Sequence, residues 1–410
     1  MQPTFLFNTI IIILVIQYLL DTLLDYLNAK RFLKDIPIEL QDIFDGKEYK
    51  KAQQYHRANY RFKLLKDGIS LLLVLAFLFF GGFGIVDNFI RGFTDNSILQ
   101  ALGFFGLLSF GSSLFALPFS YYETFSLEEK YGFNKTTRTT FLIDLVKSSL
   151  LTIIFRGGIL ALVIWFLEWA GPEFWLYVWG VAIILMLFMN LFYSKLLVPL
   201  FNKQAPLQEG HLKNAIESYA KKVGFNLKNI FVLDGSKRST KANAYFSGFG
   251  KQKRVTLYDT LIQDLDEEEI VAVLAHEVGH YKRNHIVFNI IASILLTGLT
   301  LYLLSLCVNY PALSLSIGVE QTSFHAGLLA FFLLYSPISL LTGLIMNHFS
   351  RKFEFQADDY AKSTFASNPL ISSLKKLSKN NLSNLTPHPA YVFVHYSHPP
   401  LLERIKNLRT

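Results

Sequence analysis

Cysteine is nearly absent from this chain. Cys307 is the one cysteine in 410 residues, so no intramolecular disulfide can form and no cysteine-based zinc site exists. Any metal chemistry must use His, Asp or Glu. Charge is also scarce, at 17% of residues against 51% hydrophobic, which is too little to cover a soluble surface of this size. No Lys or Arg precedes Lys30, and no small-residue cleavage site follows the first apolar run. That run therefore reads as a retained membrane span and not as a secretory leader.

What is abundant is long apolar runs. Seven are long enough to cross a bilayer, at 5–27, 64–90, 98–119, 142–169, 174–200, 286–309 and 324–348. Basic residues alternate between their connections. Lys30, Arg31, Lys34, Lys47, Lys50, Lys51, Arg57, Arg61 and Lys63 crowd the first loop, whereas 170–173 and 310–323 have no Lys or Arg. The bias predicts an N-terminus outside and the polar segment 201–285 and the C-terminus in the cytoplasm. It also accounts for the net charge of +8 without a nucleic-acid partner.

The chain divides into 1–200 (five spans and their loops), 201–285 (a cytoplasmic segment), 286–348 (two spans) and 349–410 (a cytoplasmic tail). Within 201–285 the spacing of Leu212, Ile216, Tyr219, Ala220 and Val223 predicts a helix. Strands are predicted at 230–233, 242–249 and 254–258, giving a sheet of two or three strands. Asp266-Glu267-Glu268-Glu269 then opens a helix running through His280, since acidic residues suit a first turn.

That helix carries His276-Glu277-Val278-Gly279-His280. Two His at i and i+4 project from one face and can share a metal ion, with Glu277 beside them to act as general base. A zinc ion there acidifies water and polarises the scissile carbonyl. The continuation Tyr281-Lys282-Arg283-Asn284-His285 lacks the Gly and His of a three-histidine protease, so a carboxylate must complete the set. Glu354 and Asp358, also i and i+4, are the candidates: Glu354 as ligand, Asp358 as acceptor of a ligand-His hydrogen bond. The competing reading is an exposed helix with ordinary charges. Span six starts just after His280 and span seven ends just before Glu354, so both emerge at one membrane face.

These residues, together with Glu123–Asn134, Lys241–Gly248, Lys253–Leu261 and His398-Pro399-Pro400-Leu401-Leu402-Glu403-Arg404, resemble the type I CAAX prenyl proteases, integral-membrane gluzincin zinc endopeptidases, over nearly the whole length. The resemblance implies a mainly α fold: a seven-helix transmembrane barrel enclosing a chamber, capped by a cytoplasmic α+β zinc protease domain. It implies one Zn2+ per chain and a peptide or protein substrate, prenylated in some cases, lying as an added strand along Asn243, Ala244, Tyr245 and Phe246. A plain core strand is the alternative for those four. His398 and Arg404 match family residues near the zinc and could stabilise an oxyanion, or could be solvated charges at a helix start. Lys147 and Arg156 are candidates to line the chamber, although Lys147 could simply snorkel. A monomer is expected. The ending Lys406-Asn407-Leu408-Arg409-Thr410 has no KDEL-type signal, which favours a bacterial inner membrane over the endoplasmic reticulum. The rival roles are a membrane quality-control protease and a non-catalytic transporter that uses the same chamber.

Overall fold

A computed structural model of the chain describes residues 2–33, 35–247 and 253–410, and only the backbone of Leu33, Lys228, Phe246, Ser247 and Lys253. Gly248, the last residue of the 241–248 motif, and Phe249, the end of the predicted strand 242–249, lie outside the described residues.

Five helical stretches are long and apolar enough to cross a bilayer, and Gly46–Phe79 with Gly82–Arg91, bent by 62°, makes a sixth. One of the five, Arg138–Phe201, is 64 residues long, far more than the roughly 20 that a single crossing needs. It turns back at Gly171, whose φ of +59° suits glycine. Past the turn, Phe166 and Tyr177 stack with ring centroids 5.6 Å apart, a contact that a straight helix would forbid. It therefore supplies two crossings, and the expected seven are present.

Long stretches of these helices hold no buried residue. Among the described residues none is buried in 11–23, 56–77, 105–126, 134–162, 179–193, 286–297 or 332–353. A solid bundle would bury an inward stripe along each helix. Here the helices meet at the two ends and stand apart between them, enclosing a chamber. One end is closed by Leu6, Ile10, Phe83, Phe104, Ile317 and Ala326. The other is closed by the protease domain, whose core joins Ile216, Val255, Leu257, Ile270, Leu274 and Ile405.

Two details differ from the sequence reading. The sheet has four strands, in the order β1 (Gln204–Pro206), β2 (Leu227–Leu233), β4 (Lys253–Tyr258), β3 (Ala244–Ser247). The three-residue β1 is too short to show a period. Second, the helix of the seventh span does not stop where its apolar run ends. A single 41-residue helix, Phe324–Thr364, carries the span and both carboxylates into the protease domain.

Candidate metal centre

The helix Glu267–Lys282 begins at a reciprocal cap. The Asp266 N–H donates to Glu269 Oε2 at 2.8 Å, and buried Glu269 also receives Ser372 Oγ at 2.6 Å and Lys376 Nζ at 2.8 Å. This fixes the helix start and hence the direction of His276 and His280. Gly279 sets the distance to the neighbouring helix: a Cβ there would sit 3.0 Å from Ala357 Cα and 3.1 Å from its carbonyl oxygen. Ala357 lies between Glu354 and Asp358, so this close approach brings the carboxylates to the histidines.

His276 Nε2 and His280 Nε2 are 3.1 Å apart, and Glu354 presents Oε2 at 3.4 Å from the first and Oε1 at 3.2 Å from the second. One ligand atom from each of the three lies within 4.8 Å of the others. Glu354 Oε2 is buried and accepts no hydrogen bond, and Arg404 Nη1 forms an ion pair with it at 3.2 Å. A buried carboxylate, one of its oxygens orphaned, facing two imidazole nitrogens is the donor set of a divalent metal site of the His2Glu type, and the residues fit such an ion.

Around it, Asp358 Oδ1 stands 2.8 Å from His276 Nδ1, the nitrogen turned away from the cluster. Arg404 donates to Asp358 through Nε (2.9 Å) and Nη2 (2.6 Å). His398 is 66% exposed with Nε2 at 3.4 Å from Glu354 Oε1. It is placed by Arg351, which donates to the carbonyls of Val392 and Tyr396, and by Asn347, which donates to Val394. Glu277 is partly buried. Burial pushes its carboxyl above the ordinary range, opposed by the nearby His276 and His280.

The residues singled out in the sequence thus come together, with two qualifications. Residues 243–246 belong to the sheet and not to the cluster. Among the described residues β3 pairs with β4 alone and is an edge strand; Asn243 accepts the Tyr258 N–H at 3.0 Å and Ala244 packs on the core. Lys147 donates to the Leu200 carbonyl at 2.7 Å, while exposed Arg156 has no hydrogen-bond or ion-pair partner among the described residues. Two residues not singled out also reach the site. His285 Nδ1 is 3.0 Å from His280 Nδ1, and Gln356 Oε1 is 2.8 Å from His285 Nε2. Their only signal in the sequence is proximity to the ligands along the chain.

Comparison with known proteins agrees. Residues 25–203 match the family described as CAAX prenyl protease N-terminal, five membrane helices, and residues 206–410 match peptidase family M48. The chain is 37% identical to the CAAX prenyl protease 1 homolog of Oryza sativa subsp. japonica over 98% of its length and 96% of the relative's. The Arabidopsis thaliana homolog is also 37% identical, over 97% and 96%. The crystal structure of S. mikatae Ste24p superposes with a TM-score of 0.93 at 33% identity, covering 99% of each chain. These relatives are eukaryotic, so the expectation of a bacterial source finds no support, and nothing in the comparisons favours a quality-control role. The helical chamber, the protease cap and the His2Glu cluster agree with both family matches, and the chain belongs to the CAAX prenyl protease family, the M48 zinc metalloendopeptidases of membranes.

Proposed function

We propose that the chain trims protein C-termini of the CAAX type, and that a single zinc ion held by His276, His280 and Glu354 serves that reaction. The observation that carries the metal reading is the buried Glu354 carboxylate, whose Oε2 accepts no hydrogen bond and faces His276 while its Oε1 faces His280. Zinc bound there would polarise the scissile carbonyl and bring the pKa of water toward about 7. Glu277 takes one proton from the attacking water and hands it to the leaving amine nitrogen as the C–N bond breaks. Its raised carboxyl pKa brings its proton affinity closer to that of the water it serves. Exposed His398 faces open space beside the cluster and donates to the developing oxyanion. Arg404 has two of its nitrogens on Asp358 and acts by holding Asp358 and Glu354 in place.

The substrate tail lies along the free edge of β3, where Asn243 to Phe246 offer main-chain hydrogen bonds that are tolerant of sequence. The hollow between the spans accommodates an attached isoprenyl chain. The basic residues of loop 28–63 and of the polar segment 201–285 support a cytoplasmic protease domain. The relatives' printed names point to the same tail class.

The test is mass spectrometry of products from matched peptides ending in Cys-aliphatic-aliphatic-X, with and without a farnesyl thioether. Release of the last three residues, faster from the farnesylated peptide, is expected. Equal cleavage at scattered internal bonds in both peptides would replace tail processing with general membrane proteolysis.

A further inference from the structure

His276 and His280 are supported differently. Asp358, itself bound by Arg404, takes the Nδ1 side of His276. Among the described residues no carboxylate takes the Nδ1 side of His280. Its Nδ1 faces His285 Nδ1 at 3.0 Å, and the far nitrogen of His285, Nε2, faces Gln356 Oε1 at 2.8 Å. The His285 ring is 3% exposed and stacked on Phe353, with centroids 4.2 Å apart and planes 10° from parallel. It cannot swing to another partner without leaving that stack.

The three groups form a hydrogen-bonded row, and protons can be distributed along it in two directions. In one, Gln356 accepts the proton on His285 Nε2; His285 Nδ1 is then a bare lone pair that accepts the proton on His280 Nδ1, and His280 Nε2 is left unprotonated. In the other, Gln356 turns its amide and donates to His285 Nε2; His285 then donates from Nδ1, and His280 must carry its proton on Nε2. Only the first leaves a lone pair on the nitrogen that faces Glu354 and His276. An imidazole has one proton to place when neutral, so the identity of the Gln356 atom at the end of the row decides which His280 nitrogen can bind a metal.

We infer that His285 and Gln356 are positioning residues for the metal: a neutral relay that fixes the tautomer and ring orientation of His280, complementary to the charged Asp358–Arg404 support of His276. The inference rests on the reading of His280 as a zinc ligand. It also gives a reason for the chain path. Asn284, with φ of +59°, breaks the zinc-site helix just before span six, and this turn folds His285, the first residue of that span, back onto His280. Gln356 follows span seven on the continuous helix two residues after Glu354. Both relay residues are thus set by the membrane crossings, and the ligand orientation depends on how spans six and seven pack.

The test uses the full-length protein in detergent and reads metal binding directly, through zinc dissociation into a chelator and the visible absorption of the cobalt-substituted site. Gln356→Leu removes the acceptor, while Gln356→Glu keeps an acceptor in the same place. His285→Phe keeps the stack on Phe353 and removes both nitrogens. His285→Phe and Gln356→Leu are expected to lose zinc about 10–100-fold faster with a shifted cobalt spectrum, and Gln356→Glu to stay near the parent. Equal zinc release from Gln356→Leu, Gln356→Glu and the parent would overturn the relay, whether or not His285→Phe folds. Absence of stoichiometric zinc from the parent protein would instead overturn the ligand assignment itself.

Discussion

One helix carries two similar constellations to opposite ends of the chamber. Near its start His325 Nε2 lies 2.6 Å from Asp87 Oδ1, and Asp87 Oδ2 receives Arg91 Nε at 2.7 Å. Near its end His276 Nδ1 lies 2.8 Å from Asp358, which receives Arg404. Glu354 follows His325 by 29 positions, about 40 Å along a helix axis. Both ends therefore bury an Arg–Asp–His unit, and only one belongs to a cluster suited to a metal. The difference lies at the other histidine nitrogen. Asp358 occupies Nδ1 of His276 and leaves Nε2 facing His280 and Glu354. At the far end Asp87 and Ser323 both approach Nε2, and the ring packs against Phe104 with centroids 4.7 Å apart. Among the described residues His276, His280 and Glu354 are the only such trio of potential ligands. A buried Asp–His pair is thus a structural joint by default, and it supports metal chemistry only where further donors meet the free nitrogen.

The largest contrast should come from the general base. Glu277→Gln is expected to lower kcat by about 10²–10⁴-fold with zinc content intact, whereas His325→Gln at the far end should leave kcat within about twofold. Cleavage by Glu277→Gln at the parent rate would remove Glu277 from the mechanism.

The contrast also marks where sequence reading succeeds. His276, His280, Glu354 and Asp358 are legible because helical spacing places i and i+4 on one face, and because an HExxH lacking its third ligand calls for a carboxylate. Asp87 and His325 are 238 positions apart, and no local period connects them. The 62° bend after Phe79 and the single helix running through Glu354 were hidden for the opposite reason. Hydropathy locates where apolar residues stop, and a helix crosses that boundary without any local signal.

Replacing each aspartate in turn gives the next effect. Asp358→Asn is expected to weaken zinc about 10–100-fold, since the amide accepts a weaker hydrogen bond from His276 and Arg404 loses its counter-charge. Asp87→Asn should leave zinc affinity unchanged and instead lower the unfolding temperature in detergent, because Arg91 and His325 lose a buried partner. Zinc competition and thermal unfolding on the two variants separate the roles. If Asp87→Asn loosened zinc as much as Asp358→Asn, the far-end unit would no longer be a joint alone.

The smallest effect is a proton count. Burial and Arg404 lower the proton affinity of metal-free His276, but Asp358 and Glu354 outweigh them and raise it above the ordinary imidazole range. That direction predicts a metal-free His276 that carries a proton at neutral pH, which a metal must displace. Zinc affinity should fall as pH falls, and near pH 7 about one proton per metal should be released from this residue. Asp358→Asn removes one of the two raising carboxylates, so fewer protons should leave at the same pH. Calorimetry of zinc binding in two buffers of different ionisation enthalpy counts them. If the parent released none at pH 7, metal-free His276 would already be neutral there, and Asp358 would act on it by orientation alone, as Asp87 acts on His325.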